Sequence, residues 1–348
     1  MLIDGNIGGS IDGTAGASLH EIHEQIGLAE RAGFDGVWST EVSRDPFLPL
    51  LLAAENAPRL HVGTAIAVAF ARNPMTLATV ANDMQSFSSG GFTLGLGSQI
   101  KPHIERRFSM PWSAPAPRMR EFVNALHAIW ESWQNQTALD FRGDYYSHTL
   151  MTPMFRPPRN EFGPPHVMIA AVGPQMTSVA AEVADGMLVH GFTTERYLRE
   201  VTVPQIKSAL AKAGKTFENF TLSYPGLVVT GSDEQQFEEA ATAVRKQIAF
   251  YGSTPAYRAV LDLHGWGDLQ TELHRLSKLD DWESMTRLID DTVLRTFAVV
   301  GEPEAAAAEI SRRFSDIIDR FTLYTPYGLD AATRSAVVSG VHNRHTTP

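Results

Sequence analysis

One stretch of the sequence has the residue types and spacing of an anion-binding turn. Residues 167–171 form a short apolar run typical of a buried parallel strand, and Gly173 and Pro174 interrupt it. Pro174 suits the first position of a helix over 175–184, because its missing N–H would have no partner there. Such a turn exposes backbone N–H groups at the positive end of a helix dipole. The pattern indicates a phosphate site, or else an ordinary turn between a strand and a helix.

Two side chains at the ends of other apolar runs have potential for proton chemistry. Glu41 follows the run 37–40, where a carboxylate can accept a hydrogen bond from a ring N–H or take part in proton transfer. The alternative for Glu41 is a structural ion pair with Arg44. His190 ends the run 187–190 and is either catalytic or structural.

A basic segment follows the apolar run 92–97. In a chain with a formal net charge of −10, such a concentration of positive groups is unusual. The segment either holds an anionic part of a ligand or is a solvated surface loop. Its ionisable residues are Lys101, His103, Glu105, Arg106 and Arg107.

Composition and motifs exclude several classes of function. The 348 residues include no cysteine, which rules out disulfides, thiolate metal ligands and cysteine nucleophiles. The histidines and carboxylates show no metal-ligand spacing, so we expect no metal. The negative net charge argues against nucleic acid as a partner, and no apolar run reaches the length of a membrane span. The first residues lack a secretory signal pattern, and we therefore expect a cytoplasmic protein.

A repeating strand–helix pattern must position these residues. We predict eight strands separated by helices, with a glycine-rich loop at 8–16 after the first strand. An unbroken repeat of this kind favours a single (β/α)8 TIM barrel, whose site lies at the carboxyl ends of its strands. We assign the barrel to 1–342, with excursions at 137–165 and 252–296 and a flexible tail at 343–348. The predicted strands are 2–7, 37–40, 60–69, 92–97, 167–171, 187–190, 222–230 and 321–324.

Five segments in order resemble the bacterial-luciferase-like family of flavin- and deazaflavin-dependent oxidoreductases, especially its coenzyme F420-dependent branch. One departure is Gly90–Gly91, where the family usually has Gly-Arg. The segments are AERAGFDGVWSTE, GTAIAVAFARNPMTLA, SFSSGGFTLGLGS, PPHVMIAAVGPQMTSVAAEVADG and VVGEPEAAAAEI.

The resemblance implies a (β/α)8 barrel, often a homodimer, that holds its flavin or deazaflavin ring at the carboxyl ends of the strands. It implies a non-prolyl cis peptide at Ala65–Ile66 against the ring, and a cofactor phosphate on the turn after the fifth strand. With Glu41 and His190 as catalytic candidates, the implied cofactor-binding residues are Ala65, Ile66, Ser98, Gln99, Ala171, Val172, Gly173, Pro174, Gln175 and Met176.

A second departure bears on the reaction. Val42 stands where several deazaflavin dehydrogenases have the histidine that takes a proton from an alcohol. Alcohol dehydrogenation then needs His190 or His103 as a substitute, whereas reduction of an enone or imine needs less of a base. The resemblance, with a basic segment suited to the polyglutamate tail of the deazaflavin, leads us to expect hydride transfer between coenzyme F420 and a small organic substrate. The alternatives are an FMN-dependent monooxygenase that uses reduced FMN and O2, and a flavin-binding barrel without catalysis.

Overall fold

The computed structural model describes residues 1–8 and 18–345, and within them eight parallel strands close into a barrel. The ring closes where the sixth strand pairs with the seventh and the eighth pairs with the first. The predicted (β/α)8 barrel is confirmed. Its strands are β1 (Leu2–Ile7), β2 (Gly36–Ser39), β3 (His61–Thr64), β4 (Phe92–Gly97), β5 (His166–Ala171), β6 (Gly186–Val189), β7 (Thr221–Val229) and β8 (Arg320–Tyr324).

Helices follow the strands and pack apolar faces against the outside of the barrel. Their starts follow local capping signals in the sequence. Ser18 and Glu21 form the predicted capping box, and Asn73 accepts a hydrogen bond from the N–H of Met75 ahead of Pro74. Seven of these helices are α1 (Leu19–Ala32), α2 (Phe47–Asn56), α3 (Pro74–Phe87), α4 (Pro115–Asn135), α5 (Pro174–Val183), α6 (Val203–Lys212) and α7 (Glu234–Gly252).

The third predicted strand is interrupted in the structure. Residues 60–69 were expected to form one continuous strand, but β3 ends at Thr64 and the Ala65–Ile66 peptide bond is cis. The chain then pairs again with β4 through Ala67–Val68 and enters a short 3-10 turn at Ala69–Ala71. A run of small and apolar residues carries no local signal for such a break.

Two glycines of the barrel allow close packing of neighbouring strands. A Cβ on Gly95 would lie 1.9 Å from the carbonyl oxygen of Thr64, and one on Gly63 would lie 2.4 Å from the ring of Trp38. Both contacts are far shorter than van der Waals contact, so neither position tolerates a side chain. The glycines of β3 and β4 thus serve strand packing.

A buried ion pair joins β1 to β8 toward the amino end of the barrel. Arg320 donates to both carboxylate oxygens of Asp4, at 2.8 and 2.7 Å, and the indole N–H of Trp38 donates to Asp4 at 2.9 Å. Burial raises the pKa of Asp4 above its ordinary value, against the opposing effect of Arg320. These charges lie at the opposite end of the barrel from the predicted site.

Both excursions predicted from the sequence carry their own structure. The excursion 137–165 contains a small antiparallel hairpin of Phe141–Arg142 with Ser147–His148, as expected. The excursion 252–296 is mainly helical and packs on a second apolar cluster with Phe192 and Phe297. Its helices are α8 (Arg258–Leu263), α9 (Gly267–Ser277), α10 (Trp282–Arg287) and α11 (Asp291–Phe297).

The sequence prediction missed one strand and misplaced one end. Ala298–Val300 pairs in parallel with the second half of β7, although it lies outside the ring of eight. It is followed by α12 (Pro303–Phe314) and, after β8, by α13 (Ala331–His345). The tail expected from 343 is therefore helical as far as 345, and 346–348 lie outside the described residues, as does most of the predicted loop at 8–16.

In the part of the chain that the structure describes, every helix is too short or too polar to cross a bilayer.

Candidate functional site

The predicted site residues gather at the carboxyl end of the barrel. Because all eight strands run in parallel, the residues that follow them share one rim. Glu41, the Ala65–Ile66 bond, Ser98, the turn at Val172 and His190 follow five different strands at this rim. These residues are far apart in the sequence, and the closed sheet brings them to one rim, as the barrel predicted from the strand–helix repeat implies.

Glu41 is buried, and both of its carboxylate oxygens have partners. Oε2 accepts a hydrogen bond of 2.8 Å from the backbone N–H of Val68, and Oε1 lies 3.0 Å from the guanidinium of Arg72. Arg72, rather than Arg44, is therefore the ion-pair partner of Glu41. Through these two contacts, the carboxylate at the end of β2 holds the segment that follows β3 in place.

Arg72 has a second set of contacts that fixes its position. Its guanidinium also lies 3.0 Å from Asp45 and 5.5 Å from the ring centroid of Phe47. Burial by itself would lower the pKa of Arg72, but the ion pairs with Glu41 and Asp45 outweigh burial and raise it. Arg72 therefore stays charged, and Glu41 keeps a permanent cationic partner.

The cis peptide at Ala65–Ile66 is held by hydrogen bonds on both of its sides. The carbonyl oxygen of Ala65 accepts from the hydroxyl of Thr40 at 2.9 Å, and that of Ile66 accepts from the backbone N–H of Glu41 at 3.1 Å. The side chains of Ala65 and Ile66 pack against Trp38, Met168 and Leu188 inside the barrel. The resemblance placed a cis bond at this position, and the structure contains one there.

The turn between β5 and α5 is open to solvent. Ala171 is buried, whereas the residues from Val172 to Gln175 are exposed and Met176 is partly exposed. Gly173 has φ +76°, and a Cβ built there would meet nothing within 4 Å. Its carbonyl oxygen accepts from the hydroxyl of Thr177 at 2.9 Å. The amino end of α5 has no side-chain cap, which leaves the N–H groups of Gln175 and Met176 available to a ligand.

Ser98 and Gln99 lie at the neighbouring strand end, because β4 pairs with β5. Both are partly exposed, and Gln99 adopts a left-handed conformation with φ +58°. The basic segment continues from Gln99 as a single π-helical turn, His103–Arg107, which buries Ile104 and exposes its charged side chains. Arg107 donates to the carbonyl oxygen of Val42, and Lys101 lies 3.8 Å from Glu105.

His190 has both ring nitrogens engaged. Nδ1 accepts a hydrogen bond of 3.0 Å from the backbone N–H of Phe192, and Nε2 lies 3.0 Å from the hydroxyl of Tyr257. Burial lowers the pKa of His190 to about 4, so the imidazole is neutral near pH 7. A neutral ring whose Nδ1 accepts must carry its hydrogen on Nε2.

Sequence reasoning missed the group of phenols around His190. The ring of Tyr257 stacks on His190 at a centroid distance of 4.3 Å, and the ring of Tyr251 meets it edge-on at 4.9 Å. The hydroxyls of Tyr251 and Tyr324 lie 3.1 Å apart. Tyr251 and Tyr257 belong to the segment after β7, where no pattern in the sequence links them to β6.

Comparison with known proteins gives the family. The family model of the luciferase-like monooxygenases matches residues 6–320 of the chain. The chain belongs to that family. Within it, a protein of Mycobacterium tuberculosis described as uncharacterised is 54% identical over 310 residues, which cover 89% of this chain and 91% of that protein.

Two further comparisons find proteins that are described as reductases and are similar to this chain. It is 26% identical over 321 residues to a 5,10-methylenetetrahydromethanopterin reductase of Archaeoglobus fulgidus, which covers 89% of this chain and 91% of that protein. The solved structure of a coenzyme F420 dependent tetrahydromethanopterin reductase from Methanopyrus kandleri superposes with a TM-score of 0.78 over 97% of each chain, at 18% identity. At that identity the superposition shows that the luciferase-like fold is shared.

Proposed function

We propose that this chain is an oxidoreductase that transfers a hydride between coenzyme F420 and a small organic substrate. The observation that carries the proposal is the open turn between β5 and α5 at the barrel rim. Its exposed N–H groups and the unfilled space around Gly173 suit the phosphate of a large cofactor. The similarity to a reductase over 89% of the chain supports a reductive role.

The residues around this turn fit such a cofactor. We assign its phosphate to the backbone of Val172, Gly173, Gln175 and Met176, with Ala171 and Pro174 setting the backbone path. Ser98 and Gln99 would meet the ring or ribityl chain from the neighbouring strand end. The segment Ala65–Ile66, held by Glu41 and Thr40, would support the ring.

The basic segment supports F420 over FMN. Arg106 is exposed, and its segment begins directly after Gln99 at the same rim, which suits an anionic tail that extends beyond the phosphate. F420 carries a polyglutamate tail, whereas FMN ends at the phosphate. When bound, the reduced deazaflavin supplies a hydride from its C5.

The protein side chains supply positioning and proton chemistry. Glu41 has both oxygens engaged, so we assign it to holding the segment after β3 against the ring. His190 is the neutral histidine at the rim, and Val42 leaves no base at the position after Glu41. This set of groups favours reduction of an unsaturated acceptor over alcohol oxidation.

A cofactor titration tests the proposal. Purified protein is titrated with F420 and, separately, with FMN, and binding is followed by quenching of cofactor fluorescence. We expect tighter binding of F420, and oxidation of the reduced deazaflavin without oxygen uptake when an enone or imine is added. Tighter binding of FMN, with oxygen uptake after reduction, would favour the monooxygenase. Binding without turnover across a substrate panel would favour a barrel without catalysis.

A further inference from the structure

The contacts of His190 decide which group at the rim can deliver a proton. The backbone N–H of Phe192 occupies Nδ1, and Nε2–H points to the hydroxyl of Tyr257 at 3.0 Å. His190 has no vacant nitrogen with which to take a proton from a ligand. As a neutral donor it also has no proton to give without becoming an imidazolate. The imidazole is therefore a hydrogen-bond donor to Tyr257.

The hydroxyl of Tyr257 is the end of this chain of hydrogen bonds. Among the residues that the structure describes, His190 is its hydrogen-bond partner. Because the oxygen accepts from Nε2–H, the hydroxyl hydrogen is directed elsewhere and can be donated. Tyr257 is partly exposed, so a ligand can reach it. The other two phenols of the group bond to each other, Tyr251 with Tyr324.

The surroundings keep Tyr257 in the protonated state until a strong acceptor arrives. Burial raises the pKa of Tyr257 to about 12, and the nearby Tyr251 adds to the rise. A neutral phenol in an aromatic environment is a good hydrogen-bond donor to a developing oxyanion. The proton affinity of that oxygen rises as negative charge builds up on it during the reaction. Phe192 and Tyr251 provide the aromatic walls, with ring centroids 5.8 and 6.2 Å from that of Tyr257.

We propose that Tyr257 is the proton donor to the carbonyl oxygen of the substrate, and that His190 is a positioning residue that stabilises the resulting tyrosinate. This inference rests on the proposed function for its hydride source, and it narrows the substrate to an α,β-unsaturated carbonyl compound. The shared rim places Tyr257 at the same end of the barrel as the β5–α5 turn, since His190 follows β6 and β6 pairs with β5.

The reaction balances with these groups. A hydride from the reduced deazaflavin forms a C–H bond at the β carbon of the enone, and the π electrons move to the carbonyl oxygen. The O–H bond of Tyr257 breaks as its proton bonds to that oxygen, which yields an enol and a tyrosinate. The enol tautomerises to the saturated ketone. The Nε2–H of His190 donates a hydrogen bond to the tyrosinate oxygen until the tyrosinate regains a proton from water. The enone is reduced by two electrons, which the reduced deazaflavin would supply.

Binding of an oxyanion tests the donor without turnover. The probe is 4-nitrophenolate, whose oxygen resembles that of an enolate and whose absorbance reports hydrogen bonding. It is titrated, at mildly alkaline pH, into the protein with and without F420. We expect Tyr257→Phe to weaken binding by about 10- to 100-fold. The matched control is Tyr145→Phe, which removes an exposed hydroxyl on the hairpin and should leave binding unchanged.

Variants of His190 test the positioning role. His190→Phe keeps a ring but removes the donor, and we expect several-fold weaker 4-nitrophenolate binding. His190→Gln restores an N–H near the position of Nε2 and should recover part of the affinity. Nitrogen-15 NMR of histidine-labelled protein should show the Nε2–H tautomer for the resonance that His190→Gln removes.

Three results would overturn the proposal: no binding of 4-nitrophenolate to the wild type, equal binding by wild type and Tyr257→Phe, or an Nδ1–H or charged His190 at neutral pH. Failure of the proposed function is a separate result. If F420 does not bind but 4-nitrophenolate binding depends on Tyr257, the oxyanion site is supported and the assignment of F420 as the cofactor is wrong. If F420 binds but the affinity for 4-nitrophenolate is the same in wild type and Tyr257→Phe, Tyr257 is not the proton donor.

Discussion

The carboxylate of Glu41 accepts a hydrogen bond of 2.8 Å from the backbone N–H of Val68, 27 positions along the chain. Together with the ion pair to Arg72, this bond ties the end of β2 to the interrupted strand beside it. The side chain that the sequence offers for proton chemistry is thus part of the scaffold of the rim.

Replacing Glu41 with Gln should therefore cost stability. The amide keeps one accepting oxygen but turns its NH2 group toward either Val68 N–H or Arg72, so one donor loses its partner. We expect urea denaturation to show a loss of about 2–3 kcal/mol in the free energy of unfolding. The matched control is Asp45→Asn, which changes the more exposed partner of Arg72 and should cost less than about 1 kcal/mol. Equal losses would contradict the bond to Val68 as the cause.

Gln175→Glu tests the phosphate turn while preserving the fold. Gln175 is the second residue of α5, where a carboxylate interacts favourably with the helix dipole, so the melting temperature should hold or rise. The same charge repels a bound phosphate, and we expect about 10-fold weaker binding of F420 and of FMN in fluorescence titrations. Gln235→Glu, at the second position of α7, is the control. Unchanged cofactor affinity in Gln175→Glu would show that the cofactor phosphate does not bind at this turn.

Arg106→Ala separates the two cofactors. We expect several-fold weaker binding of F420 and unchanged binding of FMN, because only F420 has an anionic tail long enough to meet the basic segment. The loss should shrink as salt is added, since exposed charges are screened. Arg142→Ala, which removes an exposed arginine of the hairpin, serves as the control. An equal loss for both cofactors would argue against a tail site.

Two histidines should make stability depend on pH. Burial lowers the pKa of His190 from 6.5 to about 4 and that of His61 from 6.5 to about 3. Because the folded state then binds fewer protons than the unfolded state, the stability that these histidines contribute is complete above pH 6.5. It is lost as pH falls to about 4 for His190 and to about 3 for His61. At about 1.4 kcal/mol for each pKa unit, the full loss is about 3 kcal/mol for His190 and about 5 kcal/mol for His61.

Urea denaturation across this pH range checks the effect. His190→Gln and His61→Gln should each flatten the curve of unfolding free energy against pH. His23→Gln, which changes an exposed histidine of α1, should leave its slope unchanged. Identical slopes for wild type, His190→Gln and His61→Gln would show that these two histidines do not cause the pH dependence.

The buried ion pair Asp4–Arg320 should matter for folding and not for the site. Arg320→Met leaves a buried carboxylate without its cation, and we expect a loss of about 3–5 kcal/mol in the free energy of unfolding. The double variant Asp4→Leu/Arg320→Met should recover most of that loss, because neither charge remains buried alone. F420 affinity of the folded protein should be unaffected in both. A double variant no more stable than Arg320→Met would contradict this account.

Several parts of the rim could be predicted before the tertiary structure was in hand. The turn after β5 has local signals, an apolar run closed by glycine and proline, and the structure places it open at the rim. The position of Ala65–Ile66 came from resemblance to a family, since periodicity treats residues 60–69 as one strand. The cofactor-binding roles, the homodimer and the cytoplasmic location stay predictions.

The sequence by itself determined the alternation of strands and helices, the helix caps and the barrel, because these follow from periodicity and from contacts within a few residues. Only the tertiary structure decided which side chains meet. Glu41 could have paired with Arg44 nearby, but its partners are Val68 and Arg72 because β2 and β3 lie side by side. His190 meets Tyr257, 67 positions away, because the segment after β7 returns over the end of β6. Such long-range partners have no local pattern, whereas the hydrogen of His190 is placed on Nε2 by a local contact, the bond from the N–H of Phe192 to Nδ1.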